Sequence, residues 1–316
     1  MKPYINELEV NEDVISYFLI SEAPQVRKSK KGTDYLTLEL IDRTGKIGGR
    51  VWEIPAGLDV NSLKQCLVKV RGSVTEWNDV KQLSISQIRP IVDSDEVDYG
   101  DFFERSERDP EEMYDELIQL LDSNLTNDWI KILLRRLLTV NKVDFCNAPA
   151  AKSVHHNFLG GLLQHVLGLC HAAVDVSRLY KLDVNLMLAA CLTHDVGKIR
   201  ELTYQLGIGY TLEGTLLGHI SIGMSMVADA ANAIDGFPQQ LKITILHLIA
   251  AHHGLRDWGS PVVPAMRESV AFHLLDMLDS RIEICNKALK GELNADGLTA
   301  WVKELESPLW RGPDAD

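Results

Sequence analysis

The chain has 316 residues, 46% of them hydrophobic and 24% charged, ordinary values for a globular protein and enough length for two cores. No apolar run approaches about 18 residues, so no transmembrane helix is expected, and the start, Met1 to Glu7, turns acidic without a secretory apolar segment. A formal net charge of −13 excludes a basic field over the whole molecule, and five widely spaced cysteines without a C-x-x-C pair fit reduced thiols in a cytoplasm, not a disulfide frame or zinc ribbon.

The acidity is local. Residues 1–92 carry 13 Lys and Arg against 12 Asp and Glu, whereas residues 93–116 carry 2 against 12. A polyanionic ligand therefore stays open for the rest of the chain.

Residues 1–92 read as β structure. Val14 to Ile20 is a β-rich run, Tyr35 to Ile41 alternates, and Asp42-Arg43-Thr44-Gly45 turns the chain into Ile47 to Trp52. Asn61-Ser62-Leu63 can start a short helix, and Leu67 to Val74 and Gln82 to Ile88 complete five strands, the number of a small Greek-key barrel. The phrase Leu38 to Ile47, followed by Trp52, resembles strands 2 and 3 of nucleic-acid-binding OB folds. Such folds bind with that face and with the loops joining strands 1–2 and 4–5. Here the first loop is Arg27-Lys28-Ser29-Lys30-Lys31-Gly32, the densest basic cluster of the chain, and the second is Glu76-Trp77-Asn78-Asp79. Cations at Lys28, Lys30 and Lys31 with rings at Tyr35, Trp52 and Trp77 are what unspecific single-strand binding requires. A solvated lysine loop, and core roles for Trp52 and Trp77, are the competing readings.

An acidic linker, residues 93–109, ends at Asp109-Pro110-Glu111-Glu112, which has the cap, the proline and the acidic first turn of a helix start. From there to residue 316 the expectation is an all-α domain, with helices near 110–123, 127–140, 158–180, 184–195, 219–234, 238–253, 265–289 and 295–305. The whole is thus an all-β barrel of residues 1–92 followed by a helical domain of residues 110–316.

The chemistry gathers around Thr193-His194-Asp195-Val196-Gly197-Lys198. A His beside an Asp puts an imidazole and a carboxylate at one backbone point, where both can hold a cation. His165 lies in a helix opened by Gly160 and Gly161, His219 follows Gly218, and His252 and His253 precede Gly254. Asp276 stands on an apolar helix face with Phe272, Leu275 and Leu278, where a lone carboxylate is costly to bury. One histidine on an apolar helix is more often packing than ligand. The ordered series suits a metal-assisted hydrolase better.

The series His165, His194-Asp195, His219, His252-His253, Asp276, with Gly-Lys after His-Asp, resembles the HD-domain metal-dependent phosphohydrolases across roughly residues 155–285. By that resemblance His165, His194, Asp195 and Asp276 would hold one metal. His219, His252 and His253 would hold a second, with Asp195 bridging. Asp279 is the alternative final carboxylate. Imidazole and carboxylate donors without thiolate favour Mn²⁺ or Fe²⁺, with Zn²⁺ and Co²⁺ as further candidates. His156 and Lys198 could meet substrate phosphate, and His155 is an even choice between that and packing. His171, His247 and His273 read as packing or surface residues.

An OB barrel joined to an HD domain resembles the YhaM-type bacterial 3′→5′ exoribonucleases. That resemblance implies single-stranded RNA as substrate, with single-stranded DNA a second candidate, and nucleoside 5′-monophosphates as products. An HD phosphodiesterase or phosphatase acting on cyclic or free nucleotides is the enzymatic alternative. A single-strand-binding module with a vestigial metal domain is the non-enzymatic one. Neither an H-E-x-x-H helix nor a Walker A loop is present. A homo-oligomer is compatible with all three.

Overall fold

A computed structural model describes residues 3–29, 32–64, 66–78, 80–92, 94–102, 105–150, 158–203 and 209–312. The chain divides into two compact units. One comprises residues 1–105 with 203–209, and the other residues 106–202 with 210–316.

The first unit is built on β1 (Asp13–Ile20), β2 (Gln25–Lys28), β3 (Asp34–Asp42), β4 (Gly45–Val51), β5 (Leu67–Trp77) and β6 (Val80–Pro90). Alternation drives it: in β3, Leu36, Leu38 and Leu40 are buried while Tyr35, Thr37 and Glu39 between them are half-buried to exposed. β1 pairs antiparallel with β5 and, at Leu19 and Ile20, with Ile41 and Leu40 of β3. β3 pairs with β4, β4 runs parallel to β6, and β6 returns antiparallel to β5, so the sheet closes as an OB barrel does. A four-residue 3-10 turn, Val60–Leu63, sits between β4 and β5, where Asp59 caps it.

Gln25 to Lys28 is a strand, not part of the first basic loop, because its four residues pair with Asp34 to Thr37 of β3. The acidic stretch after β6 is also tied down within this unit. Asp95 accepts from both guanidinium nitrogens of Arg89 at 2.7 and 2.8 Å and from Val92 N at 2.9 Å. Phe102 is buried with Leu19 and Leu67. Asp95 and Phe102 thus anchor part of this stretch, and the division between units falls between residues 105 and 106.

The second unit is helical: α1 (Pro110–Asn124), α2 (Asp128–Val140), α3 (Lys142–Asn147), α4 (Gly161–Tyr180), α5 (Val184–Thr193), α6 (Lys198–Glu201), α7 (Leu212–Asn232), α8 (Gln239–Ala251) and α9 (Arg267–Leu289). Asp109 accepts from Glu111 N and Glu112 N, and Pro110 opens α1. α7 starts at Leu212, earlier than the apolar pattern indicates, and breaks at Gly218, whose φ is 69°. The expected helix near 295–305 is absent apart from the 3-10 turn Lys303–Leu305. Gly297 has φ 77°, the Asn294 side chain accepts from Asp296 N and Leu298 N, and bridges join Leu298 to Trp310 and Val302 to Ser307. Those local bonds compete with a helix and prevail.

One apolar core joins α1, α2, α4, α5, α8 and α9. Every residue of α5 from Met187 to Thr193 is buried. A helix apolar all round belongs at the centre of a bundle. The residues that follow it are therefore delivered to the interior, and they are His194 and Asp195.

Candidate functional site

α5 ends at His194, whose Nδ1 faces the carbonyls of Cys191 at 3.0 Å and Ala190 at 3.2 Å. α8 ends in the same way. His252 Nδ1 donates to Ile249 O at 2.7 Å, and His253 Nδ1 donates to Trp258 O at 2.8 Å. A backbone carbonyl can only accept, so these rings carry their hydrogen on Nδ1 and leave the Nε2 lone pair free. Both helix ends also present partial negative charge to the same place, which favours a cation.

α4 supplies His165 from its buried face, with 1% of its surface exposed. Its Nε2 lies 3.3 Å from His194 Nε2 and 3.3 Å from Asp276 Oδ1, while its Nδ1 lies 2.7 Å from Asp279 Oδ2. His219 enters just after the Gly218 break. Its Nδ1 is 3.2 Å from Glu201 Oε1 and its Nε2 is 3.5 Å from Asp195 Oδ1.

Asp195 stands between two imidazole groups. Its Oδ2 is 3.2 Å from His194 Nε2 and 3.9 Å from His165 Nε2. Its Oδ1 is 3.5 Å from His219 Nε2 and 3.8 Å from His252 Nε2. Ligand atoms of His165, His194 and Asp195 lie within 4.8 Å of one another, and so do those of His219, His252 and His253. Donors about 2.1 Å from a shared ion lie roughly 3–3.5 Å apart, so these spacings suit two neighbouring cations. Asp195 Oδ1 and His219 Nε2 are buried with no hydrogen-bond partner among the described residues. Buried polar atoms are seldom left so, and one divalent ion between these two, which lie 3.5 Å apart, would satisfy both.

The electrostatics agree. Burial opposes the charge on Asp195, yet Lys198 and His194 hold its pKa well below the ordinary carboxylate value. Burial, reinforced by His194, pushes the His252 pKa down, and burial with His219 does the same for His253, which keeps both rings neutral, the form able to bind a cation. His165 differs. Burial works against its protonation, but hydrogen bonds to Asp276 and Asp279 prevail and raise its pKa to about 10. A cation bound by His165 and Asp276 would have to displace that proton.

The other expected residues fall as follows. Lys198 Nζ is 2.6 Å from Asp195 Oδ2, so its ammonium is engaged by that carboxylate. His155 and His156 lie outside the described residues. His171 pairs with Glu116 on the surface, His247 bonds to Ser269 Oγ and Ala265 N, and His273 Nδ1 donates to His252 O. Asp279 sits on the far side of the His165 ring from Asp276 Oδ1. Glu201 escaped the sequence reading: nothing in apolar spacing marks a carboxylate six residues after Asp195 as buried, although it is only 8% exposed.

On the barrel, Tyr35 and Trp52 stack with ring centroids 4.9 Å apart, and Trp52 is 46% exposed, which removes it from the core. Arg50 lies 5.9 Å from the Trp52 centroid. That cation was unremarked in the sequence, though its place two residues before Trp52 puts it on the same strand face. Trp77 is 62% exposed at the end of β5, next to the turn into β6, and Lys28 is exposed at the end of β2. No hydrogen bond, ion pair or ring contact joins Lys28 or Trp77 to the Tyr35–Trp52 pair among the described residues. Lys30 and Lys31 lie outside those residues.

The HD domain family matches residues 162–284, a span that takes in every expected metal ligand from His165 to Asp276. The 3′-5′ exoribonuclease YhaM of Halalkalibacterium halodurans is 34% identical over 283 residues, 89% of this chain and 88% of that protein. The chain belongs to that HD-domain exoribonuclease family. It is an enzyme of the phosphohydrolase class. Among solved structures, it is similar to the second OB-fold domain of replication protein A from Methanococcus maripaludis, with 27% identity and a TM-score of 0.25 over 30% of this chain and 100% of that chain. It is also similar to a replication protein A heterotrimer bound to single-stranded DNA, with 17% identity and a TM-score of 0.21 over 29% of this chain and 72% of that one. No helix among the described residues is long and apolar enough to cross a membrane.

Proposed function

We propose that this enzyme is a two-metal 3′→5′ exoribonuclease that shortens single-stranded RNA to nucleoside 5′-monophosphates, with single-stranded DNA as a secondary substrate. The observation that carries the reading is the position of Asp195, with one oxygen toward His165 and His194 and the other toward His219 and His252. His165, His194, Asp276 and Asp195 Oδ2 would hold one ion, and His219, His252, His253 and Asp195 Oδ1 the other. Mn²⁺ or Fe²⁺ suits these donors best. Bound divalent ions would supply charge to the scissile phosphate and acidify the attacking water.

The chain's own groups supply the rest. Lys198 keeps Asp195 ionised and places a positive charge beside the point where phosphoryl oxygens must come. The buried walls from α5 and α8 exclude bulk water, which strengthens every charge interaction inside. On the barrel, the Tyr35–Trp52 pair with Arg50 offers stacking and a cation, while Lys28, Lys30 and Lys31 offer phosphate contacts. The 34% identity to a protein named as a 3′-5′ exoribonuclease supports the direction of attack.

Product analysis tests this reading. Single-stranded RNA labelled at its 5′ end and incubated with enzyme and Mn²⁺ should yield a ladder that shortens from the 3′ end, with nucleoside 5′-monophosphates released. Intact RNA alongside hydrolysis of a cyclic or free nucleotide would favour the small-nucleotide phosphohydrolase instead.

A further inference from the structure

Each of the five imidazoles around Asp195 presents Nε2 inward, and each has its Nδ1 held by something else. For His194, His252 and His253 the acceptor is a backbone carbonyl of the helix end or the turn that carries the ring. Those bonds come with the local fold. The Nδ1 atoms of His165 and His219 are met by carboxylates: Asp279 Oδ2 at 2.7 Å and Glu201 Oε1 at 3.2 Å. One of these two rings belongs to each candidate ion.

Glu201 is built into its place. It ends α6, where its Oε1 also accepts the backbone N–H of His219 at 3.0 Å. One oxygen thus fixes both the main chain and the ring of the residue that follows the Gly218 break. Backbones come close here: a Cβ on Gly214 would lie 2.2 Å from Glu201 O. An almost fully buried carboxylate is costly unless its bonds repay the desolvation. His219 supplies the bonds that do so.

We propose that Glu201 and Asp279 are positioning residues, one for each ion, that fix His219 and His165 with Nε2 turned toward Asp195 and make those nitrogens better donors. The proposal rests on the two-ion reading above and adds two residues outside the ligand series. It also assigns Asp279 a role that differs from coordination. A neutral imidazole has two tautomers, and only the one with hydrogen on Nδ1 offers Nε2 to a cation. Removing the acceptor frees the ring to rotate or to move its hydrogen, and the loss falls on the ion that ring serves.

The full-length protein loaded with Mn²⁺ would be dialysed against graded chelator and its metal measured by elemental analysis. Glu201→Ala should weaken one ion about 10- to 100-fold and leave the other unchanged. The weakened ion should be the one that His252→Ala abolishes. Asp279→Ala should weaken the opposite ion by a similar factor. Glu201→Gln, which keeps an acceptor oxygen, should recover most of the loss, whereas a purely structural defect would not be so rescued. Histidine-selective ¹⁵N spectra after chelation give a second reading: His219 should carry hydrogen on Nδ1 in wild type and lose that preference in Glu201→Ala. Unchanged metal retention with an unchanged His219 spectrum would overturn the proposal, as would equal weakening of both ions. If wild type retains a single ion, the two-ion reading fails, and the His219 spectrum alone then decides for or against Glu201.

Discussion

Asp195 is the residue on which the site turns, because its two oxygens serve two different imidazole groups. Asp195→Asn replaces one of those oxygens by an amide that cannot bind a cation. Hydrolysis should fall by well over about 100-fold, since losing an outer-shell partner alone reaches that size. RNA binding should persist, as a filter-binding measurement would show. His165 gives a prediction of opposite character. Its folded pKa of about 10 lies above the ordinary 6.5, because Asp276 and Asp279 outweigh burial. In the metal-free protein its contribution to stability is therefore complete below about pH 6.5 and is lost as pH rises toward about 10. Thermal melts of chelated protein should show Tm falling across that interval. Metal uptake should release protons, which calorimetry in buffers of different ionisation enthalpy would register. The cluster of imidazoles around Asp195 was legible in the sequence because a His-Asp dipeptide and a set of histidines at helix ends leave little else to explain them. Glu201 was not legible, because its burial arises from packing between α6 and α7 and leaves no pattern along the chain.

At the scale of elements, the site depends on how closely α6 approaches α7. A Cβ on Gly197 would lie 2.0 Å from His219 O and 2.7 Å from Gly223 N. Gly197→Ala would thus force the two helices apart at the ring that faces Asp195 Oδ1. We expect a loss of about 1–3 kcal/mol of stability, the usual cost of overpacking, together with weakened metal retention. Gly48→Ala on β4 is the control, since nothing lies within 4 Å of the added carbon. Denaturant melts of both variants would check this, and equal stability of the two would contradict it. Long apolar-periodic helices such as α4 and α9 announced themselves in the sequence. The short α3 and the failed helix near 295–305 did not, because side-chain and turn bonds such as those of Asn294 decide short elements. β2 was missed for a related reason: four exposed residues carry no alternation, and only their pairing with β3 makes them a strand.

Across the whole molecule residue types separate, with rings and cations on the barrel and imidazoles and carboxylates in the helical unit. Trp52→Ala should cost about 1–3 kcal/mol of RNA binding if one base stacks there, roughly 5- to 150-fold in Kd. Turnover of a small chromogenic phosphodiester should be unaffected. Replacing Lys28, Lys30 and Lys31 together by Ala should flatten the salt dependence of binding by up to about 2 units, at roughly 0.7 per phosphate contact. Both titrations would use the Asp195→Asn protein to keep the strand intact. Wild-type affinity in both variants would remove the barrel from strand binding. Five of the six barrel strands and the order of the two units could be read from alternation, turn residues and helical spacing. The strand register of the barrel could not, because the parallel pairing of β4 with β6 joins segments far apart in sequence.

If Asp195 bridges two ions, anomalous diffraction from crystals grown with Mn²⁺ will reveal both. Two peaks per chain are expected, one among His165, His194 and Asp276, the other among His219, His252 and His253, each within bonding distance of a different Asp195 oxygen. A single peak, or two peaks that leave Asp195 uncoordinated, would contradict the bridge.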